Sequence, residues 1–183
     1  MSNILEIPRV TGRDGNIRYV VESEETEYIP GYRRGIEFTW DTGAFISSLS
    51  VSNFIKDSDS EEYKLMVKSI DDDSEYIEYN SVSGSGKGVL RKIKTLQIGN
   101  LLIEDFYFLL VKDVKRIIGN RDYLASTCLL GSDFIDCCKF EHDVESDIIV
   151  TGFDINKYTE HHSVHRYKNR EMVFKDLFAV DAN

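Results

Sequence analysis

The segment Phe38-Thr39-Trp40-Asp41-Thr42-Gly43-Ala44 constrains the fold of this chain more than any other stretch. Its aromatic and β-branched residues are typical of a β-strand, and this strand ends in a carboxylate followed by a hydroxyl, a glycine and a small side chain. Because Asp41 follows directly after Trp40, we expect the strand to carry this carboxylate to a partly dehydrated position. Carboxylates in such positions are candidate catalytic groups. An ordinary strand followed by an Asx turn is the alternative interpretation of the Asp-Thr-Gly tripeptide.

Three segments together resemble the aspartic proteases. Residues 41–47 (Asp-Thr-Gly-Ala-Phe-Ile-Ser) resemble the active-site loop of that family, and residues 128–135 resemble its second signature, an apolar-apolar-Gly stretch that leads into a short helix. The glycine-rich residues 81–88 lie between them, where the family places its flap. With one Asp-Thr-Gly in 183 residues, the chain looks like the single-lobed, retropepsin-like branch rather than the two-lobed pepsins, over residues 15–150.

The resemblance implies an all-β fold. This is a retropepsin-like closed β-barrel, equivalent to one half of a two-lobed acid protease, with one short C-terminal helix. We assign residues 1–150 to this domain, with an acidic insert at 57–78 that contains nine acidic residues and two lysines. Residues 151–183 form a small C-terminal extension, in which we predict a helix over 168–178.

The resemblance also implies roles for individual residues. Asp41 is the predicted catalytic carboxylate. The predicted supporting residues of the active-site loop are Thr42, Gly43 and Ala44. The predicted flap, which closes over the substrate, contains Ser83, Gly84, Ser85 and Gly86. The residues predicted to pack beneath the site are Leu129, Leu130 and Gly131.

Aspartic protease chemistry needs two carboxylates that share one proton, and this chain supplies one such group. The resemblance therefore implies a homodimer in which Asp41 of each subunit meets at a two-fold axis. This dimer would hydrolyse polypeptide substrates without a metal or cofactor. The first alternative is a catalytically silent retropepsin-like module for dimerisation or peptide binding. The second is an unrelated β domain in which Asp-Thr-Gly occurs by coincidence.

Composition narrows the classes of partner and location. A formal net charge of -10 argues against nucleic acid as the main partner and against docking on an anionic membrane. The chain has no run of 18 apolar residues that could span a bilayer, and residues 1–10 contain Glu6 and Pro8 rather than the apolar core of a signal peptide. The three cysteines do not follow a disulfide or metal-site pattern. We therefore expect a reduced, cytoplasmic setting.

Periodicity predicts the main elements. We expect strands over 17–22, 35–40, 75–82, 88–96 and 106–111. Residues 61–70 read as a short amphipathic helix, and a second helix should begin at residues 133–135 with Ser132 as its cap.

Two other motifs have simple structural explanations. Residues 84–88 (Gly-Ser-Gly-Lys-Gly) lack the first glycine and the final Ser or Thr of a phosphate-binding loop, so a hairpin is the better interpretation.

His161, His162 and His165 have a spacing that a helix could use to bind a metal, but we interpret them as surface histidines because no Cys or carboxylate motif joins them.

One pair of residues suggests thiol chemistry. Cys138 and His142 are four residues apart, a spacing that would allow a nucleophile and its base to meet on a helix. A cysteine-rich helix packed in the core explains them more simply.

Overall fold

The computed structural model describes residues 3–81 and 84–177, with the backbone alone at Ser81 and Gly84. Its helices are α1 (Glu61–Asp71), α2 (Ser132–Ile135) and α3 (Ile155–Ser163), with a 3-10 turn at Val51–Asn53. Its strands are β1 (Leu5–Ile7), β2 (Arg9–Thr11), β3 (Ile17–Glu22), β4 (Thr26–Ile29), β5 (Tyr32–Arg34), β6 (Glu37–Trp40), β7 (Ser48–Ser50), β8 (Ile77–Ser81), β9 (Gly84–Ile93), β10 (Leu96–Ile98), β11 (Leu101–Ile103), β12 (Phe106–Val111), β13 (Val114–Ile118), β14 (Arg121–Ala125), β15 (Cys128–Leu130), β16 (Cys138–Glu141), β17 (Ile148–Phe153), β18 (His165–Tyr167), β19 (Arg170–Met172) and β20 (Lys175–Asp176).

The fold is mostly β, as predicted. The main sheet has nine strands in the order β2-β3-β6-β15-β7-β12-β9-β20, and β8 pairs with β9 beside this path. This sheet is open at β2 and β20, so the described residues do not form the predicted closed barrel. None of the described helices is both long enough and apolar enough to cross a membrane.

Alternation along β6 explains how the main sheet covers the core. Phe38 and Trp40 are buried while Glu37 is exposed, which is the period-two pattern of a strand with one face on the core. In β12 the last four residues are all buried, because this strand lies inside the sheet between β7 and β9. Phe38 packs edge-on against Phe106 with ring centroids 5.4 Å apart. The strand that leads to Asp41 thus packs on an aromatic core.

Helix α1 forms where the sequence predicts it. The hydroxyl of Ser60 accepts a hydrogen bond from the backbone N–H of Tyr63 and caps the helix. Tyr63, Met66 and Ile70 are buried on one face, at the spacing of an amphipathic helix. For α2 the predicted cap is wrong: Gly131 occupies the cap position and Ser132 is the first helical residue.

The C-terminal extension differs from its prediction. The predicted helix over 168–178 is wrong, because the described part of this range contributes β19 and β20. Met172 and Phe174 are buried while Val173 is 54% exposed, which is strand alternation rather than helical spacing. The helix of this region is α3, which begins after Asp154, whose side chain accepts a hydrogen bond from the N–H of Lys157.

The predicted flap is a β-hairpin. Strands β8 and β9 pair antiparallel from Ile77 and Gly88 up to Ser81 and Gly84, and these residues form the two arms of the hairpin. Of the predicted flap residues, Ser83 lies outside the described residues, while Gly84, Ser85 and Gly86 belong to β9 rather than to a loop. That these residues contact substrate stays a prediction.

Candidate active site

Two parallel strands place the two signature segments side by side. In β6 and β15, Thr39 pairs with Leu129 and Trp40 pairs with Leu130. The ladder continues for one more bond, because the N–H of Asp41 donates to the carbonyl of Leu130 at 2.9 Å. Residues that are about ninety positions apart in sequence therefore form one structural unit, and the strand ends deliver Asp41 and Gly131 to the same edge of the sheet.

Asp41 is held in a tight turn with its carboxylate accessible. Its Oδ1 accepts a hydrogen bond from the backbone N–H of Gly43 at 2.9 Å, and its carbonyl accepts from the N–H of Ala44 at 3.2 Å. The residue is half-buried, whereas Thr42 and Gly43 are exposed. An Asx turn thus orients the Asp41 carboxylate at the end of a buried strand, and the catalytic role of this carboxylate stays a prediction.

Gly131 allows the second signature to pack directly beneath the loop. A Cβ atom at this position would lie 2.6 Å from the carbonyl carbon of Ile46 and 2.9 Å from the oxygen of Ala44. Real side chains do not approach backbone atoms this closely, so the position requires glycine. Ser132 then donates from its N–H to the Ala44 carbonyl at 2.8 Å and from its hydroxyl to the Phe45 carbonyl at 3.1 Å. The loop of Asp41 is therefore fastened to the start of α2.

A buried polar network lies below this loop, and the sequence interpretation missed it. Asp133 is 6% exposed and accepts two hydrogen bonds on Oδ1, from the N–H of Ser47 at 2.7 Å and from its hydroxyl at 2.9 Å. The Ser47 oxygen in turn accepts from the N–H of Gly131 at 3.0 Å. The local signal is that Ser47 follows the apolar pair Phe45-Ile46 and that Asp133 precedes the apolar pair Phe134-Ile135.

The base of the flap hairpin packs next to the candidate site. Ile77 of β8, Leu90 of β9 and Leu109 of β12 belong to one buried cluster, and Ile46 of the active-site loop packs against it. Gly88 permits the close contact between β9 and β12, because a Cβ there would lie 2.6 Å from Cγ of Leu109. The root of the hairpin and the loop of Asp41 thus share an apolar support.

Apolar side chains near Asp41 remain exposed. Phe45, four residues after Asp41, is 90% exposed. On the preceding strand, Trp40 packs edge-on against Phe140 of β16 with ring centroids 5.1 Å apart, and Phe140 is still 38% exposed. Strand β16 forms one edge of the three-stranded sheet β1-β17-β16, so among the described strands only β17 pairs with it. The described residues therefore include an exposed ring in the loop of Asp41, at Phe45, and a second exposed ring, Phe140, on the edge strand β16.

The structure does not support Cys138 as an alternative nucleophile. Cys138 lies at the start of β16 rather than in the predicted cysteine-rich helix, since α2 ends at Ile135. Burial raises the pKa of the Cys138 thiol to about 12, which leaves almost no reactive thiolate at neutral pH. His142 packs edge-on against Tyr19 at 4.7 Å between ring centroids.

The histidine cluster is divided between surface and interior. His161 is exposed as predicted, but the prediction is wrong for His162, which is 3% exposed. Within residues 3–81 and 84–177, no group of three or more His, Cys, Asp or Glu side chains is arranged to hold a metal ion.

Comparison with known proteins shows a similarity to solved structures. No protein-family model matches the sequence, and no curated protein matches it. The structure resembles the crystal structure of a retropepsin-like aspartic protease from Rickettsia conorii, with a TM-score of 0.47 and 19% sequence identity. The alignment covers 81% of this chain and 91% of that chain.

Proposed function

We propose that this protein is an aspartic endopeptidase that acts as a homodimer, with one Asp41 from each subunit in the active site. One observation carries the proposal. The Asp41 carboxylate is accessible at the end of a buried strand, and its loop is fixed by backbone contacts to the Gly131 segment. A catalytic group needs this combination of exposure to substrate and rigid support.

Two such carboxylates at one axis would supply both halves of acid-base catalysis. Like charges at close range cannot both ionise, so the pair holds one proton between them. The ionised carboxylate accepts a proton from water while the water oxygen attacks the peptide carbonyl carbon, and the protonated carboxyl donates its proton to the carbonyl oxygen. When the C–N bond breaks, the carboxyl that accepted the water proton gives it to the amine nitrogen, and one hydroxyl of the diol intermediate gives its proton to the other carboxylate, so the carboxyl pair returns to its starting state.

The surface beside Asp41 supports association with a second copy. Phe45 presents an exposed ring in the loop of Asp41, and strand β16, which carries the exposed ring of Phe140, has an open edge among the described residues. Aromatic side chains are enriched at interfaces between proteins, and a free edge can pair with a partner strand. A two-fold axis close to this surface would bring the two Asp41 loops together.

The flap hairpin has a role in the same proposal. Strands β8 and β9 form an antiparallel hairpin whose root packs on Ile46 of the active-site loop. An extended peptide in the cleft could form backbone hydrogen bonds with such a hairpin, in the manner of an added strand. Ser83, Gly84, Ser85 and Gly86 are the proposed contacts.

The direct test is the substitution Asp41→Asn. We expect it to reduce cleavage of a denatured protein mixture by about a thousand-fold or more, as removal of a central catalytic group does in other proteases. The matched control is Asp59→Asn, which removes an exposed carboxylate from the acidic insert. Both variants should unfold at the wild-type temperature.

The outcomes separate the two functions that the sequence left open. Loss of cleavage in Asp41→Asn alone supports the peptidase. If wild type and Asp41→Asn cleave equally, Asp41 is not catalytic. If neither form cleaves any protein in the mixture while both are dimers, the catalytically silent module for dimerisation or peptide binding replaces the peptidase.

A further inference from the structure

Helix α3 carries a histidine into the interior beneath the candidate site. His162 is 3% exposed, and its ring stacks on Tyr107 with centroids 4.8 Å apart and planes 5° apart. Its Nε2 lies 2.9 Å from Oδ2 of Asp133, and its Nδ1 lies 2.6 Å from the carbonyl oxygen of Tyr158. Both ring nitrogens are therefore engaged inside the protein.

The partners of the ring determine where its protons lie. A carbonyl oxygen only accepts hydrogen bonds, so Nδ1 carries a proton and donates it to Tyr158. The carboxylate of Asp133 also accepts, so a second proton lies between Nε2 and Oδ2. This hydrogen bond lies in the interior, where leaving one of its two partners unpaired is costly.

The network continues from Asp133 to the loop of Asp41. Oδ2 of Asp133 forms a hydrogen bond with Nε2 of His162, while Oδ1 accepts two hydrogen bonds from Ser47. The Ser47 oxygen accepts a hydrogen bond from the N–H of Gly131, and the N–H of Ser132, the next residue after Gly131, donates to the carbonyl of Ala44. Hydrogen bonds from His162 to Gly131, followed by the Gly131–Ser132 peptide bond and the Ser132–Ala44 hydrogen bond, thus connect α3 with the backbone next to Asp41.

We propose that His162 is a positioning residue for the catalytic loop, acting through Asp133 and Ser47. This inference rests on the proposed peptidase function, and it makes the helix of the C-terminal extension part of the active-site support. His162 orients the Asp133 carboxylate, which fixes Ser47 and the Gly131 segment under the loop of Asp41. A displacement of about 1 Å at a reacting group can reduce a rate a hundred-fold, so loosening this network should reduce turnover.

The contacts assign Ser47 and Asp133 to support rather than to chemistry. Ser47 has no exposed surface and Asp133 is 6% exposed, so neither side chain can meet a substrate. The order of contacts also differs from that of a nucleophilic triad, because the carboxylate lies between the serine and the histidine. Substrate affinity should therefore depend little on His162.

Two substitutions of His162 separate its hydrogen bonds from its shape. His162→Phe keeps an aromatic ring against Tyr107 but leaves the Asp133 carboxylate without its partner. His162→Gln keeps a donor at a position close to Nε2. We expect kcat to fall about ten- to a hundred-fold in the first variant with KM within about two-fold of wild type, and to fall much less in the second. His161→Phe makes the same change at an exposed neighbour and should behave as wild type.

Asp133→Asn provides a second discriminating variant, which remains useful if His162→Phe fails to fold. An asparagine can accept from Ser47 through its oxygen and donate to Nε2 of a neutral His162 through its nitrogen. If hydrogen-bond positioning is the role of the network, this variant should retain more kcat than Asp133→Ala. If Asp133→Asn and Asp133→Ala lose kcat equally, the positioning role is wrong.

Hydrogen exchange of the backbone amides tests the same coupling without any substrate. We expect His162→Phe to accelerate exchange at Ser47 and Gly131, the two N–H groups that the network protects, whereas His162→Gln and His161→Phe should not. Unchanged exchange and unchanged kcat in His162→Phe would overturn the inference, even if Asp41→Asn is inactive. Accelerated exchange together with a fully active Asp41→Asn would instead reject the peptidase and leave the network as a structural coupling only.

Discussion

At the scale of single residues, the candidate site depends on the absence of a side chain at Gly131 as much as on the carboxylate of Asp41. The backbone of Ile46 and Ala44 occupies the space that a Cβ of Gly131 would need. The contact is between backbone segments, which cannot move aside as the end of a flexible side chain can. The geometry of the Asp41 loop is thus set by its close packing on Gly131.

Gly131→Ala should therefore destabilise the protein and disturb the loop. We expect the free energy of unfolding to fall by about 2–3 kcal/mol, the usual cost of overpacking an interior, together with a clear loss of kcat. Denaturant unfolding and peptide cleavage measure the two effects. Gly152→Ala is the matched control, since its Cβ would meet Lys139 at an ordinary 3.4 Å. Equal stability of the two alanine variants would show that the loop tolerates a side chain at Gly131.

The cysteines offer a second prediction at this scale. Burial raises the pKa of the Cys137 thiol to about 11 and that of Cys138 to about 12, and it also raises the pKa of Cys128. All three are free thiols. We expect iodoacetamide at neutral pH to modify the native protein slowly and to leave peptidase activity intact. Rapid inactivation that parallels modification of a single thiol would point to cysteine chemistry instead.

At the scale of elements, an ion pair fastens the acidic insert to the flap hairpin. Asp73, after helix α1, bonds through Oδ2 to the Arg91 guanidinium of β9 at 2.8 Å, with side chains 10% and 9% exposed. Burial, the largest single influence, would raise the pKa of Asp73, but the hydrogen bonds from Arg91 and from the N–H of Glu75, together with the charges of Arg91 and Lys175, hold this pKa below the usual 3.8. The insert thus helps to fix the root of the flap.

Asp73→Asn should reveal this contribution through its pH dependence. Because the folded-state pKa is lowered, the ion pair stabilises the protein above pH 3.8, and this stabilisation is lost as the pH falls through the lower folded-state value. We expect a loss of about 3 kcal/mol at pH 7 that shrinks at acid pH, where the wild-type carboxyl is also neutral. Asp72→Asn, at an exposed neighbour, should have little effect. A difference independent of pH would contradict an ionic origin.

The elements also show how far sequence patterns reach. The alternation in β6 and the helical spacing of Tyr63, Met66 and Ile70 are local signals, and both elements formed as predicted. The predicted helix at 168–178 was wrong. Met172 and Phe174 are buried against the root of the flap hairpin, and their spacing has the two-residue period of a strand rather than the period of a helix. Tertiary packing decided that segment.

The candidate site was only partly predictable for the same reason. The loop of Asp41 and the Gly131 segment each have a local motif, so their pairing could be expected from the family resemblance. His162 has no such motif, because its role depends on where α3 packs, 29 residues after Asp133. Sequence reasoning placed it on the surface.

At the scale of the whole molecule, the proposed active site requires two copies of the chain. A single chain supplies one Asp41, which is half-buried, with the exposed aromatic ring of Phe45 in the same loop. The homodimer would cover this surface and complete the pair of carboxylates. Oligomeric state and catalysis should therefore change together when this surface is altered.

Phe45→Ser is expected to weaken association and activity in parallel. Removing an exposed ring costs the folded monomer little, whereas loss of an aromatic contact from an interface can raise the dissociation constant about ten-fold or more. Sedimentation at a series of concentrations, compared with activity at the same concentrations, measures both quantities. Phe45→Trp, which keeps an aromatic ring, is the control. A Phe45→Ser protein that remains fully active as a monomer would refute the dimeric site.

The most direct test of the central claim is a mixed-subunit experiment. Wild-type chains are refolded with an equal amount of Asp41→Asn chains, and cleavage is measured per wild-type chain. If each active site needs Asp41 from both subunits, random pairing leaves about half of the wild-type chains in active dimers, so activity per wild-type chain falls to about half, and Asp59→Asn chains cause no such fall. Unchanged activity per wild-type chain with Asp41→Asn would show that one Asp41 is sufficient and would contradict the account.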